Sequence, residues 1–582
     1  MKKLAAFLFL FLLPGILWSA PSPEARSPLV LVPQKTKLAK LYCAMLDRDI
    51  EYGLKAMLDP AVSHASFLPE ELACAMAYAY TFPESKFFQQ EATLRSLRKV
   101  CATFQANLKS SPSPYHLAQR LEPLIRGYLV VRDRYPTAEQ RAIEASLRGG
   151  LAELSKQPLQ EANHRGMLSC AVLALGTELT GDAHFREQAL ALFASIRSIF
   201  AANGEVLEDG VPDLAGSAHS LQSLFLLRCI TGDAATDALL IEGLQWYTRL
   251  FTTAGVPVLH NRCHPQESGS KRIAPVLGLL SFYVEKVPAL GERAGHGLEH
   301  LMQATPDFIL PRGGFYFLLG VQHHQEITSN AEESSFCQLY ARPDAHYLLV
   351  QKNYQTAVLL RGGYPYKGMQ VWAYAMDAPL IFPYPQQPSQ ALGMGFDTSC
   401  MDVQEASDGY EYRLLSLPGG ADLLIVRQGP LFTGYVFTQD ATVVVMHNDS
   451  PQGMRKTWVR SLAMCGELAQ MNKESIVSAR SKAKMMPGML TPERYDYEGY
   501  AKIHLNEPGS SLWTTFCGPE TISLIRDLVD AVYFVHIQEP SKTWNVVINL
   551  ADRPFEKSMV FPGTDIPVPA LPAYGAAVVK VQ

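Results

Sequence analysis

The chain predicts an α+β multidomain protein: an N-terminal α/α toroid, built as an incomplete barrel of helical hairpins, followed by an antiparallel β-sandwich. Three observations predict it. Apolar residues recur at three- and four-residue spacing through 86–107, 113–131, 137–154, 165–179, 183–201, 217–230 and 234–252. Thr180-Gly181-Asp182-Ala183 recurs 51 residues later as Thr231-Gly232-Asp233-Ala234. Beyond residue 310 the helical period gives way to short runs rich in β-branched and aromatic residues.

The elements follow in order. Lys2 and Lys3, an apolar run over 4–18 and the small pair Ser19-Ala20 form a secretory signal over 1–20. The apolar run has about 15 residues, short of the roughly 20 that span a bilayer. No later segment is long and apolar enough to span, so no membrane span is expected after signal removal, and the expected location is periplasmic or extracellular. The helical pattern occupies 36–305. In the repeated tetrapeptide, Gly ends one helix and Asp caps the next. A repeat of about 50 residues suits hairpins stacked on similar hairpins. The sandwich occupies 310–582, with strands expected at 315–319, 346–351, 356–361, 423–428, 442–447, 531–538 and 544–550. Polar segment 467–495 reads as a surface excursion and Pro-rich 379–388 as an extended loop.

Composition narrows the function classes. The 582 residues are 48% hydrophobic and 18% charged, enough for large cores. The formal charge of −5 argues against nucleic acid as a partner. None of the ten cysteines forms a CxxC pair, and apolar surroundings make most of them buried thiols. There is no phosphate-binding Gly loop, HExxH or GxSxG, so no cofactor or metal is expected. His323-His324 are adjacent on a strand and point to opposite faces, a poor metal pair.

Three polar loops stand out. Asn163-His164-Arg165 opens a helical run, where Asn163 also reads as an N-cap. An acidic stretch over 204–213, with Glu205, Glu208, Asp209 and Asp213, leads into a helix carrying His219. One hairpin later come Trp246-Tyr247 and His260-Asn261-Arg262. In a toroid of hairpins, equivalent loops collect at one rim, so these three would face one cleft.

Asn163-His164, Gly181-Asp182, Asp209-Gly210 and Ala218-His219, with 55 residues between Asn163 and Ala218, resemble the heparinase II/III-like and alginate-lyase-like polysaccharide lyases. The resemblance spans about residues 86–385. It implies an exported enzyme that cleaves a uronic-acid-containing polysaccharide by β-elimination, with an acidic polysaccharide or oligosaccharide as partner. It implies catalytic roles for Asn163, His164 and His219, with Asn163 and His164 on the substrate carboxylate. The family's proton-shuttling tyrosine falls at Ala218, and its β-domain histidines fall near 364–372, where they are absent. Tyr364 and Tyr366 are therefore the candidates for the second proton group. Arg165, Trp246, Tyr247, His260, Asn261, Arg262 and Lys367 are candidate substrate contacts. Two alternatives stand beside the lyase: a catalytically degenerate glycan-binding protein, and a glycoside hydrolase on the same toroid using the acidic loop.

Overall fold

Every second helix of the N-terminal half is apolar on nearly all sides, and this sets the architecture. A computed structural model of the chain describes residues 37–58, 68–107, 113–202, 204–208, 211–212, 214–248, 276 and 279 in this half. In the C-terminal half it describes 338–342, 347–351, 354–359, 370–375, 395–397, 411–428, 431–438, 442–448, 458–463, 468–471, 475–478, 482–486, 500–504, 511–516, 522–527, 531–539 and 542–581. The signal over 1–20, the strand expected at 315–319 and the loop 379–388 lie outside the described residues.

The described helices are α1 (Lys37–Leu58), α2 (Pro69–Thr81), α3 (Glu91–Asn107), α4 (Pro114–Val131), α5 (Thr137–Lys156), α6 (His164–Thr180), α7 (Ala183–Ile196), α8 (Leu214–Thr231) and α9 (Ala234–Thr248). Helix α2 buries every residue from Glu70 to Ala79, and α6 every residue from Ser169 to Gly176. Helices buried all round belong inside a bundle. By contrast α7 buries only Ala189, Leu192, Phe193 and Ile196, and α5 a single stripe from Ile143 to Leu154. One-sided helices belong outside. The packing follows: α2 lies beside α4, α4 beside α6 and α6 beside α8, while α3, α5, α7 and α9 each cover the preceding inner helix. Val276 and Leu279 join the same core. No described helix is long and apolar enough to cross a membrane.

The repeated tetrapeptide performs the same task twice. Gly181 and Gly232 take φ of 73° and 65° and donate to Thr177 O and Arg228 O, closing α6 and α8. The left-handed conformation is nearly free of strain only for Gly. Asp182 then accepts from His184 N at 2.9 Å, and Asp233 from Thr236 N at 2.8 Å, opening α7 and α9.

In the C-terminal half, described strands form antiparallel sheets, the largest of eight strands running from Leu468–Met471 at one edge to Glu411–Leu417 at the other. A four-stranded sheet contains Val532–Gln538 and Thr543–Asn549. Alternate residues of the two sheets share one core: Leu423, Ile425, Val443 and Val445 against Tyr533, Val535, Trp544, Val546 and Ile548. Period-two sharing across two sheets is the mark of a sandwich. The back of the four-stranded sheet is covered too, where Val532, Phe534 and Val547 meet Phe555, Phe561, Val568 and Leu571. Burial on both faces explains why 531–538 reads as a continuous apolar run.

One expectation is corrected. Segment 467–495 is not a simple surface excursion, because Leu468–Met471, Ser475–Ser478 and Lys482–Met486 extend the eight-stranded sheet. The first pairs with the second, the second with the third, and the third with Ser511–Phe516.

Cys43, Cys74, Cys101 and Cys170 are free and buried. Burial pushes the Cys43, Cys74 and Cys101 thiols up to about 12 and raises Cys170 as well. Since the thiolate is the nucleophile, these four are expected to resist alkylation at pH 8 in the native protein and to label fully in denaturant. Site-resolved mass spectrometry checks this.

Candidate functional site

Successive helices joined by short turns and packed side by side run in opposite directions. The inner helices α2, α4, α6 and α8 therefore run the same way, and their first turns meet at one end. A small cleft lies there, lined by Glu71 from α2, Tyr115, Gln119 and Glu122 from α4, His164 and Leu168 from α6, and His219, Gln222 and Ser223 from α8.

Asn163 decides where α6 starts. Its backbone is extended, and its side-chain oxygen accepts from Arg165 N at 3.0 Å and Gly166 N at 3.4 Å. Its Nδ2 donates to Glu161 Oε2 at 3.0 Å. The capping reading of Asn163 thus describes its contacts, and it sets His164 on the first turn facing the cleft.

His164 is held by a carboxylate distant in sequence. Glu208 ends the short strand β1 (Leu207–Glu208), which pairs with β2 (Val211–Pro212). Glu208 Oε2 accepts from His164 N at 2.9 Å, and Oε1 lies 2.5 Å from His164 Nδ1. A carboxylate accepts from the Nδ1–H of an imidazole, and the contact turns Nε2 to the opposite side of the ring, toward Tyr115. Nε2 lies 3.4 Å from the Tyr115 hydroxyl, with the rings edge to face. The His219 ring stands 5.8 Å from that of His164.

Small residues make room for this chain of contacts. A Cβ at Gly216 would sit 2.8 Å from the Glu208 carboxylate carbon. Ser217 Oγ donates to Val206 O at 2.7 Å, tying α8 to the strand that carries Glu208. Beneath the cleft, Arg126 is fully buried and pairs with Glu122 at 2.7 Å while lying over the Tyr78 ring. At the rim, Arg165 lies 5.1 Å over the Tyr115 ring and 3.8 Å from Glu161.

Among the residues singled out from sequence, His164 and His219 line the cleft and Arg165 stands at its edge. Trp246 and Tyr247 require correction. They are 1% and 0% exposed in the helical core, where no glycan can reach them. His260, Asn261, Arg262, Tyr364, Tyr366 and Lys367 lie outside the described residues. Of the acidic loop, Glu205 is fully buried, Glu208 is engaged by His164, and Asp209 and Asp213 lie outside the described residues. Among the described residues no group of three His, Cys, Asp or Glu could hold a metal ion.

Sequence reasoning missed Tyr115 and the orienting role of Glu208. A signal for Tyr115 existed: it sits in the first turn of the helix one hairpin before His164, and hairpin geometry sends that turn to the same rim.

No family model matches the chain, and no curated protein sequence matches it. Solved structures do. Heparinase III aligns with a TM-score of 0.50 at 11% identity, covering 89% of this chain and 93% of that one. Heparan sulfate lyase HepC from Pedobacter heparinus aligns at 0.47 and 11%, covering 83% and 82%. A chondroitin AC lyase from Streptomyces coelicolor A3 aligns at 0.47 and 10%, covering 90% of each chain. The chain has a polysaccharide-lyase-like fold, with helices in its N-terminal half and antiparallel sheets in its C-terminal half.

Proposed function

We propose that the protein is an exported polysaccharide lyase that cleaves a uronic-acid-containing polysaccharide by β-elimination. The observation that carries this reading is the line Glu208–His164–Tyr115 in the cleft: a carboxylate at 2.5 Å from Nδ1 and a phenol at 3.4 Å from Nε2. A base oriented by a third group and facing a second proton carrier is the pattern of an activated proton-transfer site.

The chemistry sets what each group does. The C5–H bond beside the uronate carboxylate breaks, its electrons form the C4–C5 double bond, and the C4–O bond breaks with a proton going to the departing oxygen. In this reading Tyr115 passes its proton to His164 Nε2 and its oxygen takes the C5 proton. His219, on the neighbouring helix, protonates the leaving oxygen. Arg165, at the rim over Tyr115, meets the carboxylate whose charge grows in the transition state. Asn163 acts as a positioning residue through the cap. The phenol missing at Ala218 is thus supplied from α4. The signal expected at 1–20 would carry this activity out of the cytoplasm.

The test is incubation with a panel of uronate polysaccharides, following ultraviolet absorbance of the unsaturated product and reducing ends together. Both rising in step is the expected result. Reducing ends without absorbance would mean hydrolysis, and binding with neither signal would mean a glycan-binding protein; each contradicts the proposal.

Two substitutions probe the orienting carboxylate. Glu208→Gln, which can present a donor to Nδ1, is expected to lower kcat about 10–100-fold. Gly216→Ala is expected to lower it too, because its Cβ intrudes on the same carboxylate. Steady-state kinetics with a thermal melt of each variant separates loss of orientation from loss of fold.

A further inference from the structure

The carboxylate that holds His164 is itself held from behind. Val206 and Glu208 stand two residues apart on extended backbone, so their side chains share one face. Each meets a glycine of a different helix there. A Cβ at Gly216 of α8 would lie 2.8 Å from the Glu208 carboxylate carbon, and a Cβ at Gly243 of α9 would lie 3.3 Å from Val206 Cγ2. Contacts this close set the distance between the segment and the two helices. They do not set its position along them, because a glycine offers no side chain to block sliding.

Ser217 supplies the missing restraint. A serine inside a helix ordinarily returns its hydroxyl to the carbonyl one turn back. Here Oγ leaves α8 and donates to Val206 O at 2.7 Å, two residues before Glu208. Ser217 and Val206 are both 0% exposed, so no sugar touches either. The same first turn of α8 carries His219, whose ring stands 5.8 Å from that of His164. One bond thus fixes the carboxylate behind His164 relative to the imidazole beside it. We propose that Ser217 is a positioning residue: its bond to Val206 O sets where Glu208 stands along α8, and Glu208 in turn holds His164 for proton transfer. This rests on the lyase reading of the same cleft.

The experiment is a double-mutant cycle of Ser217→Ala and Glu208→Gln, with a thermal melt of each variant. It is read as kcat and KM for unsaturated product on the uronate polysaccharide that the wild type cleaves fastest. Ser217→Ala deletes the hydroxyl and is expected to lower kcat about ten-fold with KM nearly unchanged, as a displaced group does and a lost binding contact does not. Because Ser217 acts through Glu208, its loss should add little once the carboxylate is gone, and the double variant should be about as slow as Glu208→Gln alone. A hydroxyl with a merely structural role would instead slow both backgrounds by the same factor, or lower the thermal midpoint and leave kcat unchanged. Gly243→Ala keeps the test open if Ser217→Ala folds poorly. Ala favours a helix over Gly, the Leu221 methyl that the new Cβ meets can turn aside, and Val206 is pushed from α9. This variant is expected to lower kcat by a smaller factor, again with no further loss in the Glu208→Gln background. Losses that multiply with that of Glu208→Gln, or unchanged kcat in both Ser217→Ala and Gly243→Ala, overturn the inference while the lyase reading stands. Wild-type protein that forms no unsaturated product from any uronate polysaccharide overturns both.

Discussion

Replacing His164 by alanine is expected to lower turnover of the uronate substrate by about 10³–10⁴-fold, the upper range for loss of a general acid–base group. The ring touches both Glu208 and Tyr115. Without it the phenol loses its contact with Nε2. The fold should survive. His164 is the first residue of α6, it is only half-buried, and Asn163 still caps the helix. Glu208 keeps its bond from the backbone N–H of residue 164 but loses the ring, which is expected to cost about 1–3 kcal/mol. A kinetic assay paired with circular dichroism checks both halves. Near-normal turnover in a folded variant would remove His164 from the reaction.

The second large effect is expected from Tyr115→Phe. The substitution deletes one oxygen and leaves the ring that Arg165 covers and that meets His164 edge to face. Stability should stay within about 0.5 kcal/mol. Turnover should fall about 10²–10⁴-fold, with kcat and kcat/KM reduced together, because the hydroxyl acts in the transition state and not in ground-state binding. A rise in KM at constant kcat would instead make Tyr115 a binding surface.

Much of the helical half was legible because its determinants are local. Three- and four-residue spacing placed α4 to α9 within a few residues of their observed ends, apart from α7, whose last expected turn is a 3-10 turn over Arg197–Ile199. The paired Thr-Gly-Asp-Ala tetrapeptides were legible as two copies of one helix-to-helix turn, since Gly at a left-handed C-cap and Asp at an N-cap each act over two or three residues. What escaped was non-local. Glu208 lies 44 residues from His164 and 49 residues separate Tyr115 from it; the hairpin repeat points Tyr115 to the same rim, but nothing in the local sequence of Glu208 marks its contact. Glu208 stood in an acidic stretch that reads as solvated. Trp246 and Tyr247 misled for the opposite reason: their aromatic surface suits a sugar, but on a helix that covers α8 the same surface is core. Strands over 468–486 escaped because their place in the sheet is set by pairing that ends on Ser511–Phe516, distant in sequence.

The central claim is that Tyr115 and His164, carried by different helices, work as one proton-transfer unit. A double-mutant cycle of Tyr115→Phe and His164→Ala, read as the initial rate of unsaturated-uronate formation, tests it most directly. Groups that act as a unit are strongly non-additive. The double variant is therefore expected to be no slower than the slower single variant. Losses that multiply in the double variant would show two independent groups and contradict the claim.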